Sequence, residues 1–521
     1  MKTITIFKRK VNIALLFAVV VLAGAAGCKK GTFDINGVNP NNPSSVLPKY
    51  SLAAALSGTA NLMYSAIGYN GTVPIGGNQD MLDNWMGYWT QSGAYTPSNT
   101  YVLYQLNSST GNGNWDAAYN NLSNYHTLIT SVSADPTLVN YKAIGMIMSA
   151  FVFQRIVDLY NKAPYTTALV PNSTFSYKYD DGATIYKGSI ANIDAALALI
   201  KANASAVSPG NYDAMFGGDM SKWIKFGNTL KLKMLMRQTA SSANGSLGDA
   251  GVKAALAGYT PADFLGAGED ASINPGYSAA ADNQENPLYI DVVTTSTGQP
   301  GYDEKYFRAN AYGVNFYKAH NDPRLAMFYL PTTADATKIT GRVYGSQNGN
   351  EANSIISGLT GYGANASAKE AAPIIPAFES LFLLAEAQQR GYITTGTAAA
   401  SYTAGVEESF RILGSTAAIA DTYMAQIDKV ANFSLATDPI TAIITQKWAA
   451  CNSLDPLESF SDYRRLGIPA SLPVSIYPGV TATHIPYRLP YPNSELNYNS
   501  ANVPDGGTGT ESLTSKIFWM P

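Results

Sequence analysis

The sequence predicts a mainly α-helical scaffold carrying long irregular loops. Three observations predict it: apolar residues recur at helical spacing in eight segments, a stop signal closes the clearest of them, and the stretches between are long and rich in turn formers. In order, the segments run from Leu52 to Ile67, Trp115 to Thr130, Tyr141 to Tyr160, Ile185 to Ala202, Met220 to Gln238, Pro376 to Arg390, Ser401 to Leu413 and Ile440 to Cys451. In the third, Ile144, Met148, Phe151 and Arg155 recur at helical spacing, with Ile147 and Ile156 beside them. In the sixth, Phe378, Leu381, Phe382, Leu384 and Ala385 build an apolar face and Gly391 supplies the stop. The stretches Gly68 to Asn114, Thr239 to Arg308, Thr333 to Pro373 and Ile468 to the end are irregular, and loops of such length tend to carry function.

The first residues have the design of a secretory signal, assigned to residues 1–27. Lys2, Lys8, Arg9 and Lys10 form a basic head, and an uncharged, mainly apolar run follows to Leu22-Ala23-Gly24-Ala25-Ala26-Gly27-Cys28. The run is short and lacks the flanks of a stable membrane span. Cleavage before Cys28 would leave its thiol as the first side chain, free to take lipid and to anchor the chain on a membrane without crossing it. An ordinary signal with Cys28 a bystander, or a bridge to Cys451, the other cysteine, stays open. Ala25 stands where lipoprotein signals usually carry Leu. Residues 28–50, crowded with Asn, Gly and Pro, read as a tether, and residues 51–521 as a single domain with a loop-rich face.

Removing the four basic residues of the leader from 34 leaves 30 against 37 acidic ones, a formal charge near −7. Such a balance argues against nucleic-acid binding, which rests on many phosphate contacts by Lys and Arg. Only 14% of the chain is charged while it holds 34 Tyr and 45 Gly, a composition that suits neutral polar ligands.

Several phrases along the chain match the signatures of one known family. Asp219-Met220-Ser221-Lys222-Trp223-Ile224-Lys225-Phe226-Gly227-Asn228-Thr229-Leu230-Lys231-Leu232-Lys233 is similar to the family's "GD..KW.KFANSLKLR". Asp158-Leu159-Tyr160-Asn161-Lys162-Ala163-Pro164-Tyr165 resembles "D.YGDIPY", with Lys162 and Ala163 in place of the usual Asp and Ile. Tyr179 to Tyr186 resembles "YD.Q..IY", and Glu379 to Gly391 resembles "E..FLLAEA..RG". Glu458 to Pro469 is similar to "EAW.DYRRTG.P", Ile485 to Asn497 to "IPRRL.YP..E...N" with Tyr487 for the first Arg, and Lys516 to Trp519 matches the closing "VWW" in part.

Together these phrases resemble the SusD/RagB family of outer-membrane lipoproteins, in its SusD-like group 2 branch, and the resemblance covers the mature chain. It implies a SusD-like scaffold of helix pairs packed in the tetratricopeptide manner, although no clean repeat of about 34 residues is present. It further implies a lipid-anchored protein of the outer membrane, facing the cell exterior, that binds a glycan or another nutrient without catalysis and passes it to a SusC-like TonB-dependent transporter. Most of the matched phrases nevertheless read as structural. Glu379 and Glu386 lie on an otherwise apolar helix and call for partners, with Arg464 and Arg465 as candidates because guanidinium forks suit carboxylates. Trp223 and Phe226 read as core.

Ligand contact is expected first in the stretch from Tyr69 to Tyr104, where aromatic rings alternate with amides and carboxylates. Rings can cover the C–H face of a sugar while polar groups take its hydroxyls. The candidates there are Asp83, Asn84, Trp85, Tyr88, Trp89 and Tyr95, with Trp89 the preferred stacking residue; the competing reading makes Trp85 and Trp89 one buried helical face. A second patch holds Tyr302, Tyr306 and Arg308, and a weaker third one Tyr344 with Asn348 to Asn350. No cofactor or metal site is expected: His126, His320 and His484 are scattered, no P-loop or GxSxG elbow occurs, and the GxGxxA spacing at Gly361 lacks a following helix. Peptide uptake, glycoside hydrolysis by a carboxylate pair such as Asp80 with Asp83, and adhesion are the alternative functions.

Overall fold

The periodic segments become helices joined by short strand pairs. The computed structural model describes residues 46–64, 79–170, 176–347, 351–361, 363, 366–504 and 510–521. The leader, Cys28 and nearly all of the tether lie outside the described residues. Pro48–Pro521 form one unit. Its elements are α1 (Pro48–Met63), α2 (Gln79–Trp85), β1 (Trp89–Gln91), α3 (Asn112–Val132), α4 (Val139–Tyr160), β2 (Ala163–Pro164), β3 (Tyr179–Asp180), α5 (Gly182–Ala202), α6 (Met220–Arg237), α7 (Gly248–Ala255) and β4 (Ala271–Ile273). They continue with α8 (Pro287–Val292), β5 (Phe307–Ala309), α9 (Ala311–Ala319), α10 (Leu325–Phe328), β6 (Ala372–Ile375), α11 (Ala377–Gln389), α12 (Ala398–Ile412), α13 (Ala417–Met424), α14 (Pro439–Cys451), α15 (Pro456–Leu466) and α16 (Asn493–Tyr498).

Local chemistry sets the helix ends. The Asp219 carboxylate accepts from the backbone N–H groups of Ser221 at 2.9 Å and Lys222 at 3.4 Å, satisfying donors that the first turn of α6 leaves open. After α11, Gly391 takes φ +69° and donates to the Gln388 carbonyl, while Tyr392 N–H reaches back to that of Ala387. This pair of bonds closes the helix where the sequence placed its stop. The helix α15, which the periodicity passes over, begins at the Asp455 cap and ends at Gly467. Its polar residues are buried, so they blur the apolar pattern that marks a helix in sequence.

Successive helices pack on one another, α1 on α3, α3 on α4, α4 on α5, α5 on α6, and then α11 on α12 and α12 on α13, with α6 also meeting α11. The result is a mainly α-helical solenoid. The helix α4 is apolar and long enough to cross a bilayer, but it is buried almost all round and forms the centre of the packing. Trp223 and Phe226 are fully buried with their rings edge to face at 5.6 Å, and Trp223 Nε1 donates to Asp213 at 2.7 Å. Among the described residues the strands form three two-stranded antiparallel ribbons, β1–β5, β2–β3 and β4–β6.

A network of buried charges joins α4, α6, α11, α14 and α15. Arg237 forks onto Glu458 and reaches Asp158 at 3.2 Å, while Lys447 bridges Glu458 at 2.6 Å and Asp462 at 2.7 Å. Arg465 holds Glu386 as the sequence suggested, but the partner of Glu379 is Lys233, at 2.8 Å. Arg464 instead donates to the carbonyls of Asp158 and Tyr487. Removing such ions from water costs several kcal/mol each, so every member depends on its neighbours. Burial would raise the Glu386 carboxyl, yet Arg465 and Arg390 outweigh it and hold the group down to about 2. Burial prevails at Glu379, which is pushed up to about 8 against the pull of Lys233.

Candidate functional site

The two aromatic patches, more than two hundred positions apart in sequence, meet in the β1–β5 ribbon. Trp89 pairs with Ala309, Thr90 with Arg308 and Gln91 with Phe307. The ribbon runs on through Ser92, whose N–H donates to the Tyr306 carbonyl at 2.8 Å. Gly87, at φ +75°, makes the turn from α2 into β1, and the Tyr312 ring packs where a Cβ would project.

The inner side of this ribbon is core, which corrects the expectation for five residues. Trp85, Tyr88 and Trp89 are at most 1% exposed, and Asp83 and Asn84 are fully buried. Trp89 packs against Phe307 and donates from Nε1 to Ser453 at 3.1 Å. Tyr88 stacks on Trp448 with 5.0 Å between ring centroids, and Trp85 lies against Phe460 and Tyr104. Asp83 accepts from the Ser453 N–H, and Asn84 donates to the Asp80 carbonyl. None of the five offers a face to a ligand, because α14 and α15 cover that side. Burial also lifts the Asp83 carboxyl well above the usual range and brings Asp80 up to about 7, despite the bond that Asp80 receives from Tyr101 at 2.6 Å.

The other face of the ribbon is buried as well, and the open surface lies beyond it, at Tyr95 and in the residues before β5. Tyr95 is 39% exposed and meets Tyr306 edge to face at 5.0 Å, and Tyr302 is 38% exposed with its hydroxyl 3.2 Å from Asp282. Tyr306 is half-buried and backed by Phe307 and Tyr101, so its ring is held in place. Beside it a cleft of about 260 Å³ is lined by Glu304, Lys305, Arg308, Leu330, Asn353 and Gly358, among others. Arg308 is itself buried, with Nη1 bonded to the Glu304 carbonyl at 2.7 Å and to its carboxylate at 3.1 Å, while Nε has no hydrogen-bond partner among the described residues. Leu330 and Asn353 line this cleft although nothing in their local sequence, Leu330 after Phe328-Tyr329 and Asn353 in a polar stretch, marked them for it. Asn353 is bound to Ser92 at 2.6 Å and to the Lys305 carbonyl at 3.0 Å, which ties the cleft wall to the ribbon. Tyr344, of the third patch, is buried with its hydroxyl on the Tyr101 carbonyl, and Asn348 to Asn350 lie outside the described residues, as do Tyr69 and Asn70.

The three histidines have separate surroundings: His126 is exposed on α3, His320 pairs with Asp428 at 2.8 Å, and His484 stacks on Tyr487. The carboxylates Glu379, Asp455 and Glu458 lie close enough to suggest a metal, but the Lys233 ammonium stands among them, within 3.5 Å of each. A cation is thus already supplied by the chain.

A family model for SusD-like group 2, described as "Starch-binding associating with outer membrane", matches residues 40–492. The chain belongs to the SusD-like family. Its members are binding proteins without catalytic activity, and nutrient or glycan binding at the outer membrane is their general role. A chitin-binding SusD homologue from Flavobacterium johnsoniae is similar to this SusD-like chain at 22% identity, with 90% of this chain and 98% of that one covered and a TM-score of 0.72. A SusD/RagB family protein from Bacteroides thetaiotaomicron matches at 19% identity, 91% and 99% coverage and a TM-score of 0.69. A SusD homologue from Bacteroides vulgatus matches at 20% identity, 89% and 98% coverage and 0.71. No curated protein matches in sequence.

Proposed function

We propose that this SusD-like protein is held at the cell exterior by lipid on Cys28, captures an oligosaccharide on the surface around Tyr95 and Tyr306 beyond the β1–β5 ribbon, and delivers it to a SusC-like TonB-dependent transporter. The observation that carries the reading is the Tyr95–Tyr306 pair, two partly exposed rings meeting edge to face beside a cleft. Rings in this setting cover apolar sugar faces, and Tyr302 and Asn353 supply directional contacts nearby. Energy for uptake would come through the transporter, since no nucleotide-binding motif occurs in the sequence. Two similar solved structures are described as chitin-binding, so N-acetylated glycans belong in the test beside starch fragments.

The test is a glycan array followed by calorimetry on the soluble chain from Lys29 onward, with Tyr95→Ala and Tyr306→Ala in parallel. Each substitution should weaken binding by about tenfold, ~1.4 kcal/mol. Binding unchanged in the double variant would remove this face from consideration. Labelled lipid incorporated by the full chain and lost in Cys28→Ser would establish the anchor; a chain released unacylated would exclude it.

A further inference from the structure

A second concavity lies on other elements and shares no lining residue with the cleft beside Tyr306. It is formed by the start of α3, the loop after β2, and α16, and it encloses about 1030 Å³. That is the upper end of the range for pockets that hold small organic ligands.

One wall presents the half-buried Tyr119, backed by a rigid set of rings around the buried Trp115. Trp115 stacks on Tyr179 at 6.0 Å and lies 5.1 Å from Tyr119, whose hydroxyl donates to the Pro164 carbonyl at 2.6 Å. Opposite, Tyr177 is pinned through its backbone to Asn499, which accepts from its N–H at 3.1 Å and donates to its carbonyl at 2.9 Å. Tyr498 is 80% exposed, an unusual degree for so large a ring. Leu169 completes the wall in the left-handed region at φ +62°, a conformation unfavourable for a branched side chain. The loop is kept there by Asp180, which accepts from the Tyr165 N–H at 3.1 Å and the Thr166 N–H at 2.8 Å.

The polar lining has one sign. Asp116 and Glu495 contribute carboxylates, Asn120 and Asn497 are exposed, and among the described residues neither Lys nor Arg lines the groove. A phosphorylated, sulfated or uronic ligand would meet repulsion here. A neutral chain of pyranose rings would find flat aromatic faces, with carboxylate and amide groups for its hydroxyls.

We infer that this groove is a second binding site for a neutral saccharide, separate from the one beside Tyr306. The inference rests on the reading of the protein as a glycan-capture protein. Two sites on one body would let it hold a long polymer at two points and raise its effective affinity through linkage.

The experiment is calorimetry of the mature chain with maltohexaose, cellohexaose and N-acetylchitohexaose, comparing wild type, Tyr498→Ala, Asp116→Asn, the pair Tyr95→Ala with Tyr306→Ala, and that pair combined with Tyr498→Ala. Tyr498 is so exposed that its loss should leave the melting temperature unchanged. Binding that survives in the Tyr95/Tyr306 pair, and then falls about tenfold or more when Tyr498→Ala is added, supports the groove. Binding that disappears in the Tyr95/Tyr306 pair and ignores both Tyr498→Ala and Asp116→Asn overturns the groove and leaves the capture reading intact. No binding of any of these glycans by wild type overturns both.

Discussion

Arg465 holds Glu386 with both arms of its guanidinium, Nη1 to Oε1 and Nη2 to Oε2 at 2.7 Å each, across 79 positions of sequence. Both residues are buried, and the pair clamps α15 to α11. Replacing one partner strands the other charge away from water, which typically costs about 3–5 kcal/mol. Glu386→Gln should therefore lower the urea midpoint of the mature chain, and an unchanged midpoint would show that the clamp adds little.

The same pair sets an acid limit. The Glu386 carboxyl lies at about 2 in the folded chain against 4.5 ordinarily, so its contribution is present above pH 4.5 and is lost as pH falls towards 2. Stability measured from pH 6 down to pH 2 should fall less steeply in Glu386→Gln than in wild type.

Glu379 should behave in the opposite sense. Raised to about 8, its folded-state carboxyl stabilises fully below pH 4.5, and that contribution disappears as pH rises through 8. Glu379→Gln, which resembles the protonated group, should be close to wild type near pH 5 and gain on it by pH 9. Parallel stability curves over that interval would contradict the assignment.

Trp89 and Tyr95 are six residues apart and should answer different assays. Trp89→Ala empties a core position and should cost about 3–5 kcal/mol of stability. Tyr95→Ala should cost well under about 1 kcal/mol, as surface substitutions do, while weakening glycan binding. Chemical denaturation beside calorimetry separates the two; equal destabilisation would refute the division between the buried ribbon and the exposed ring beyond it.

Gly467 closes α15 at φ +68°, and a methyl group added to its Cα would meet no other atom of the described residues within 4 Å. Gly467→Ala should thus cost about 1 kcal/mol through backbone strain alone, without steric conflict. A loss several times larger, read from the denaturation midpoint, would mean that the methyl group clashes.

Much of the scaffold was legible in the residues. Seven of the eight periodic segments coincide with helices to within a few positions, and α1 starts four residues before the predicted Leu52. Phrases such as Asp219 to Lys233 carried the family resemblance because their residues cap helices, fill the core or join the buried charge network. The helix α15 was missed because Glu458, Ser461 and Asp462 interrupt its apolar pattern while being buried themselves. The candidate site was legible in composition only: Tyr95, Tyr302, Tyr306 and Arg308 do come together, but five residues singled out beside them face inward.

By itself the sequence determined the eight long periodic helices, the stop of α11 and the family, since turn geometry, capping and periodicity act between residues a few positions apart. Tertiary structure alone decided that β1 is buried throughout while Tyr95 beyond it is exposed, which cation Glu379 meets, and that residues near 116, 169 and 498 enclose one groove. Those outcomes depend on which distant surface packs against a segment: α14 and α15 take Trp85, Tyr88 and Trp89 out of solvent, and nothing within the residues from 79 to 91 distinguishes a ring bound for the core from one left to meet a ligand.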